Sequence, residues 1–159
     1  QNAFGEFLDR YFDIKLVFTF NGLIIASVLY SLPFMVHPLQ AGLKNLPVSL
    51  REASFTLGKS KFTTLVKILL PNIKSSILTG IVLTFAHTVG EFGVVLMIGG
   101  SIPEETRVVS IAIYDEVQAM NYDAANLYSG ILFAFTFSVL LGVYLLNNSF
   151  SKANPLNND

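Results

Sequence analysis

The sequence predicts an all-α membrane protein, and three patterns carry that prediction. Charged residues make up only 13% of the chain against 52% apolar, where soluble domains carry roughly a quarter charged. The charges are also segregated: none falls between Lys15 and Lys44, Glu91 alone falls between Lys74 and Glu104, and none falls between Asp123 and Lys152. A bilayer core of ~30 Å needs about 20 helical residues. The three runs therefore read as spans near residues 23–43, 77–98 and 127–146.

The first 15 residues place Phe4, Phe7, Leu8, Tyr11 and Phe12 at helical spacing among charges, the pattern of a short interfacial helix. The first span then holds Pro33, His37 and Pro38. Membrane helices tolerate proline where neighbours or water satisfy the freed carbonyls, and the two prolines are expected to bend this one. His37 reads as an interfacial residue. Residues 44–74 carry Lys44, Arg51, Lys59, Lys61, Lys67 and Lys74 against Glu52 alone, so the positive-inside rule puts this loop in the cytoplasm. The second span is studded with Gly80, Gly90 and Gly93 and ends at Gly99 and Gly100; small residues let membrane helices approach closely. Residues 99–126 are acidic and read as external, with a helix expected to start at Ser101-Ile102-Pro103-Glu104 and to run to about Met120. The third span leads inward, and residues 147–159 read as a loose cytoplasmic tail. The chain opens on Gln1 without an initiator Met and is expected to be the C-terminal part of a longer protein.

Within the basic loop, Ser49 and Glu52 stand three apart, the spacing of a capping box. Leu50, Ala53 and Leu57 share one face of a short helix, Arg51 and Glu52 lie opposite, and Gly58 follows where a left-handed residue ends a helix. Ser60 is placed to cap a second amphipathic helix, and Pro71 to turn the chain into the membrane. A bland connector between spans needs none of the fixed distances that follow.

The stretch Glu52-Ala53-Ser54, Gly58 and Ile68-Leu69-Leu70-Pro71 resembles the EAA loop of type I ABC importer permeases: Glu-Ala-Ala, three residues, Gly, nine residues, Ile-x-Leu-Pro. Ser54 replaces the second Ala. Gly90-Glu91-Phe92-Gly93, then Ile98-Gly99-Gly100-Ser101-Ile102-Pro103 and Ile113-Tyr114, is similar to molybdate permeases, with Ser101 and Glu105 departing from their usual residues. Sulfate permeases share the Gly-Glu-Phe-Gly. The resemblance implies three transmembrane helices of a type I ABC importer permease fold, with the helix at Ser49, Leu50, Arg51, Glu52, Ala53, Leu57 and Gly58 docking on an ATPase. It implies two ABC ATPase subunits, a second permease copy in a homodimer, and an external or periplasmic substrate-binding protein. The expected cargo is molybdate or tungstate, with sulfate or thiosulfate the alternative, in the cell inner membrane.

Chemistry elsewhere is sparse. The chain has two histidines, no cysteine and no GxxxxGK[ST] loop, so ATP hydrolysis is expected on partner subunits, and neither catalytic residues nor a cofactor are expected here. Thr84, His87, Thr88 and Glu91 share a face of the second span, beside Gly90 and Gly93. A polar strip within a span faces the protein interior or a water-filled path, which makes these six the candidate gate or translocation path. Glu91 has a second reading, as an acceptor for backbone N–H groups where the glycines disturb the helix. His87 with Glu91 is too small a donor set for a metal site. Two other classes are an intramembrane enzyme using His87 and Glu91, which His87→Ala would inactivate, and a scaffold subunit, which would not co-purify with an ATPase. The basic residues cluster beside the membrane, so nucleic acid is not an expected partner.

Overall fold

The computed structural model describes residues 17–152, and every regular element among them is helical. In order these are α1 (Phe20–Asn45), α2 (Val48–Thr56), α3 (Lys61–Thr64), a π-helical turn (Leu65–Leu69), α4 (Leu70–Asn72), α5 (Lys74–Gly90), α6 (Gly93–Gly99), α7 (Val109–Gln118) and α8 (Tyr122–Lys152). The expected interfacial helix before Lys15 and the last seven residues lie outside the described residues. Among the described residues two helices are long and apolar enough to cross a membrane, Phe20–Asn45 and Tyr122–Leu145. A third candidate is the pair Lys61–Asn72 and Lys74–Gly90, bent by 77° at the break between them.

α1 covers the first apolar run and continues through both Pro33 and Pro38 as one helix. α8 starts earlier and ends later than the third run suggests, because Tyr122–Asn126 already take helical geometry and residues 147–152 extend it rather than forming a loose tail. The second run departs most from expectation. Its helix ends at Gly90, Glu91 and Phe92 leave helical geometry, and α6 restarts at Gly93. α5 alone has 17 residues, a little short of the roughly 20 that a perpendicular span needs.

The chain divides into two contact units. One contains residues 32–85 and those from Leu145 onward. There α1 and α5 meet through glycines. A methyl group on Gly42 would collide with the Ser76 hydroxyl and come within 2.7 Å of Ser76 Cβ, and one on Gly80 would meet Met35 Sδ at 2.7 Å and the Met35 carbonyl oxygen at 3.2 Å. In a bilayer the gain on association comes from close packing, so such glycines set the contact distance. The 77° bend also lies here. Leu70 N–H bonds to the Leu65 carbonyl, five residues back, next to Pro71, which has no N–H to give. Asn72 Nδ2 donates to the Ile68 carbonyl at 2.6 Å, replacing part of the interrupted ladder.

The other unit contains residues to Ser31 and 86–144. Its core is Leu23 of α1, Val95 of α6 and Ile111 of α7, with Phe92, Leu96 and Val108 packed around them. α6 lies so close to α1 that a Cβ on Gly99 would come 2.9 Å from Leu23. The expected helix start at Ser101–Glu104 does not form. The N–H groups of Glu105, Thr106 and Arg107 all turn to the Ile102 carbonyl, and the fully buried Thr106 donates to the Gly99 carbonyl at 2.6 Å while accepting from Ile102 N–H. Closing this turn puts Glu104 at φ 67, so helical geometry resumes only at Val109. Arg107 then clasps Asp115 at 3.0 Å and Glu116 at 3.6 Å, fastening the turn to α7.

The glycine contact gives a direct test. Gly42→Val in the full-length subunit is expected to lower its stability by about 1–3 kcal/mol, the usual cost of overpacking, because Ser76 Cβ cannot rotate away. A thermal unfolding scan in detergent measures it.

Candidate functional site

Two local arrangements merit description, one in each unit. The first is α2 and its end. Pro47 occupies the position before the helix at φ −56 and ψ 135, with no side-chain cap. Leu50 N–H bonds to the Pro47 carbonyl at 3.2 Å. The expected Ser49–Glu52 capping box is therefore absent: the helix begins at Val48, two residues too early for Ser49 to cap it. Proline's fixed φ already suits a helix entry, and Ser49 is left exposed inside the first turn.

The C-terminal end closes as a Schellman motif. Gly58 N–H bonds to the Phe55 carbonyl at 2.9 Å and Lys59 N–H to the Ser54 carbonyl at 3.1 Å, with Gly58 at φ +69. No atom lies within 4 Å of a Cβ built there, so the glycine is required by backbone conformation and not by space. Arg51, Glu52, Ala53 and Leu57 are exposed, and Leu50 is half-buried. The shared face of Leu50, Ala53 and Leu57 is thus not a buried face within this chain. Leu57 is 74% and Val48 68% exposed. Across the loop, Ser60 caps α3 by accepting from Thr63 N–H at 3.2 Å.

The second arrangement is the break after α5. Glu91 Oε1 accepts from Val94 N–H at 2.9 Å, taking up one of the free donors at the start of α6. Glu91 Oε2 lies 3.7 Å from His87 Nε2, one turn back, and the His87 ring stacks on Tyr30 with centroids 5.0 Å apart. Ser110 of α7 donates to the Glu91 carbonyl at 2.8 Å, and the Phe92 and Tyr114 rings meet at 4.6 Å. Thr88 Oγ1 lies 2.9 Å from Ser31 Oγ. The structure therefore gathers His87, Thr88 and Glu91 with Tyr30, Ser31 and Ser110. Gly90 and Gly93 flank the break without a close neighbour that demands glycine. Thr84 stands apart, its buried hydroxyl without a hydrogen-bond partner among the described residues.

Beside this group is a cavity of about 400 Å³. Leu23, Ile24 and Val95 give it an apolar wall, and Ser27, Thr88, Glu91 and Ser110 its polar side chains. No cluster of three or more metal-ligating side chains exists among the described residues. The Glu91 carboxylate is already engaged in holding the chain at the break, which favours its reading as a backbone acceptor. Ser31, Ser110 and Tyr30 were not singled out in the sequence. A lone hydroxyl inside an apolar run was the only signal they left.

Apolar helices long enough to span, a broken third candidate and an exposed, self-terminated helix in a basic loop together define a multi-pass membrane component. The chain belongs to the family of binding-protein-dependent transport system inner membrane components, whose pattern matches residues 4–152. It is 46% identical over 129 residues to the molybdenum transport system permease protein ModB of Azotobacter vinelandii, covering 81% of this chain and 57% of that protein. It is 32% identical to the sulfate transport system permease protein CysT of Escherichia coli, over 94% of this chain and 53% of that protein. It is 36% identical to the probable transport system permease protein NifC of Clostridium pasteurianum, over 89% of this chain and 49% of that protein. The chain thus spans about half the length of these relatives. No solved structure matches it.

The break supplies a second test. Glu91→Ala removes the acceptor for Val94 N–H and is expected to cost about 1–2 kcal/mol, as lost helix caps do. Glu91→Gln keeps a carbonyl oxygen and is expected to retain most of the stability. Thermal unfolding of the two full-length variants in detergent separates them.

Proposed function

We propose that this chain is part of the membrane path for molybdate or tungstate in an ATP-driven importer, and that α2 docks on the ATPase. The observation that carries the reading is α2 itself. Its motif residues Arg51, Glu52 and Ala53 are exposed, its end is closed by its own backbone, and exposed Val48 and Leu57 leave apolar surface at both ends. A helix finished in this way leaves most of its surface available to a partner. The named function of the 46% identical relative supports molybdenum as cargo.

On this reading residues 44–74 are cytoplasmic, as their six Lys and Arg against a single Glu support, and the C-terminus lies on the same side. Two ATPase subunits bind there, a second copy of the permease completes the path, and an external binding protein delivers the anion. Hydrolysis belongs to the ATPases, and this chain contributes movement: α2 is displaced as they close, and the spans rearrange to alternate access. Thr84, His87, Thr88, Gly90, Glu91 and Gly93 are proposed as the gate region. Here Glu91 fixes the break, and the anion, which a carboxylate repels, does not contact it. Sulfate is the second reading, favoured by the sulfate permeases that align with 94% of the chain.

The test is uptake of labelled molybdate by vesicles holding the full-length subunit, its ATPase and binding protein. ATP-dependent uptake that survives excess sulfate is expected, and uptake erased by sulfate would move the assignment to sulfate. In the same vesicles Glu52→Ala and Gly58→Val are expected to insert normally yet lose transport. Valine at φ +69 costs at least the ~1–2 kcal/mol that a left-handed position charges any non-glycine residue. Normal uptake by both variants would remove α2 from the docking role.

A further inference from the structure

Ser54 stands where the EAA pattern has its second alanine, and it is the one buried residue of α2. Its side chain is 2% exposed, as is that of Thr64, and the two hydroxyls are 2.7 Å apart. The direction of this bond follows from proton count. The Thr64 hydroxyl has a single proton and donates it to the Ser60 carbonyl at 2.9 Å, so Ser54 must be the donor to Thr64 Oγ1. The Ser54 carbonyl meanwhile accepts Lys59 N–H in the helix-ending motif. One residue therefore ties α2 to the loop through its backbone and to α3 through its side chain.

A nine-residue helix is too short to persist by itself in water, and the other residues of α2 are exposed or half-exposed. Alanine at this position packs without donating, so it gives contact but no directional tie. Thr64 is also the last residue before the π-helical turn Leu65–Leu69. That turn leads through Pro71 to the 77° bend.

We infer that Ser54 and Thr64 form a hydrogen-bonded latch that makes α2 and the following helix move as one piece. A push on α2 then reaches the bend at Ile73 instead of being absorbed in the Gly58–Ser60 loop. Both are positioning residues: neither touches the transported anion. The inference rests on the proposed docking role of α2.

The test uses the full-length permease with its ATPase and binding protein in vesicles, measuring labelled molybdate taken up and ATP hydrolysed together, per assembled complex. Ser54→Ala is expected to lower the molybdate-to-ATP ratio about fivefold, the effect of losing one ordinary buried hydrogen bond, and Thr64→Val, which also gives up the bond to the Ser60 carbonyl, at least as much. The double variant should be no worse than Thr64→Val alone, since the bond between the two hydroxyls can be lost only once. Thr64→Ser, which keeps the hydroxyl, should restore the ratio. A parental ratio in both single variants, or deficits that multiply in the double, would overturn the latch. If Gly58→Val uncouples while the latch variants do not, the latch alone is wrong. If Gly58→Val and Glu52→Ala also keep the parental ratio, the docking reading itself falls.

Discussion

At four places where the described residues leave helical geometry, hydrogen bonds within the chain close the exit, and the rest of the structure depends on them. An unpaired backbone group in hydrocarbon costs several kcal/mol, so a membrane chain bends only where it carries its own acceptors and donors. Gly58 supplies a left-handed residue that lets two N–H groups turn back. Asn72 lends its amide to the Ile68 carbonyl. Glu91 takes up Val94 N–H, and Thr106 both gives and accepts within a single tight turn. These four closures place the short helices on which the functional reading rests.

The closures differ in chemistry. At Gly58 only the backbone is involved, so the helix end depends on conformation and leaves the surface of α2 free for contact. At Glu91 the closing group is a carboxyl side chain beside a cavity of about 400 Å³, linked to α7 through Ser110. A movement of α7 would thus be felt at the break directly. The Arg107 clasp on Asp115 and Glu116 fastens the preceding turn to the same helix, so turn, helix and break form one connected set of contacts.

Local patterns were the legible part of the sequence. Long uncharged runs place α1 and α8, and a glycine after an amphipathic stretch marks the end of α2, because these depend on composition and on neighbours one turn away. Ser60 was readable as a cap for the same reason. What sequence reasoning missed depends on partners distant along the chain or on competition between two good local answers. Ser49 has the capping-box spacing, but Pro47 starts the helix first. Ser101–Glu104 look like a helix start, but Thr106, buried against the Gly99 carbonyl, pulls them into a turn. The second span reads as continuous, since nothing in its hydropathy marks Glu91 and Phe92 as a break. Ser110, 19 residues away, and the tie between Ser54 and Thr64 are likewise invisible without the fold. The proposed cargo rests on the relatives' names, since neither the helices nor the cavity specify one.

The most direct measurement of the central claim is contact between α2 and an ATPase. The chain contains no cysteine, so Leu57→Cys introduces a single thiol in this segment on the exposed side of the helix end. A short thiol cross-linker applied to native membranes is expected to join the subunit to its ATPase at this position. It should do so to an extent that changes when ATP or ADP is bound. No cross-link, together with labelling of the same thiol by a membrane-impermeant reagent from outside the cell, would place α2 on the wrong side of the membrane and contradict the account.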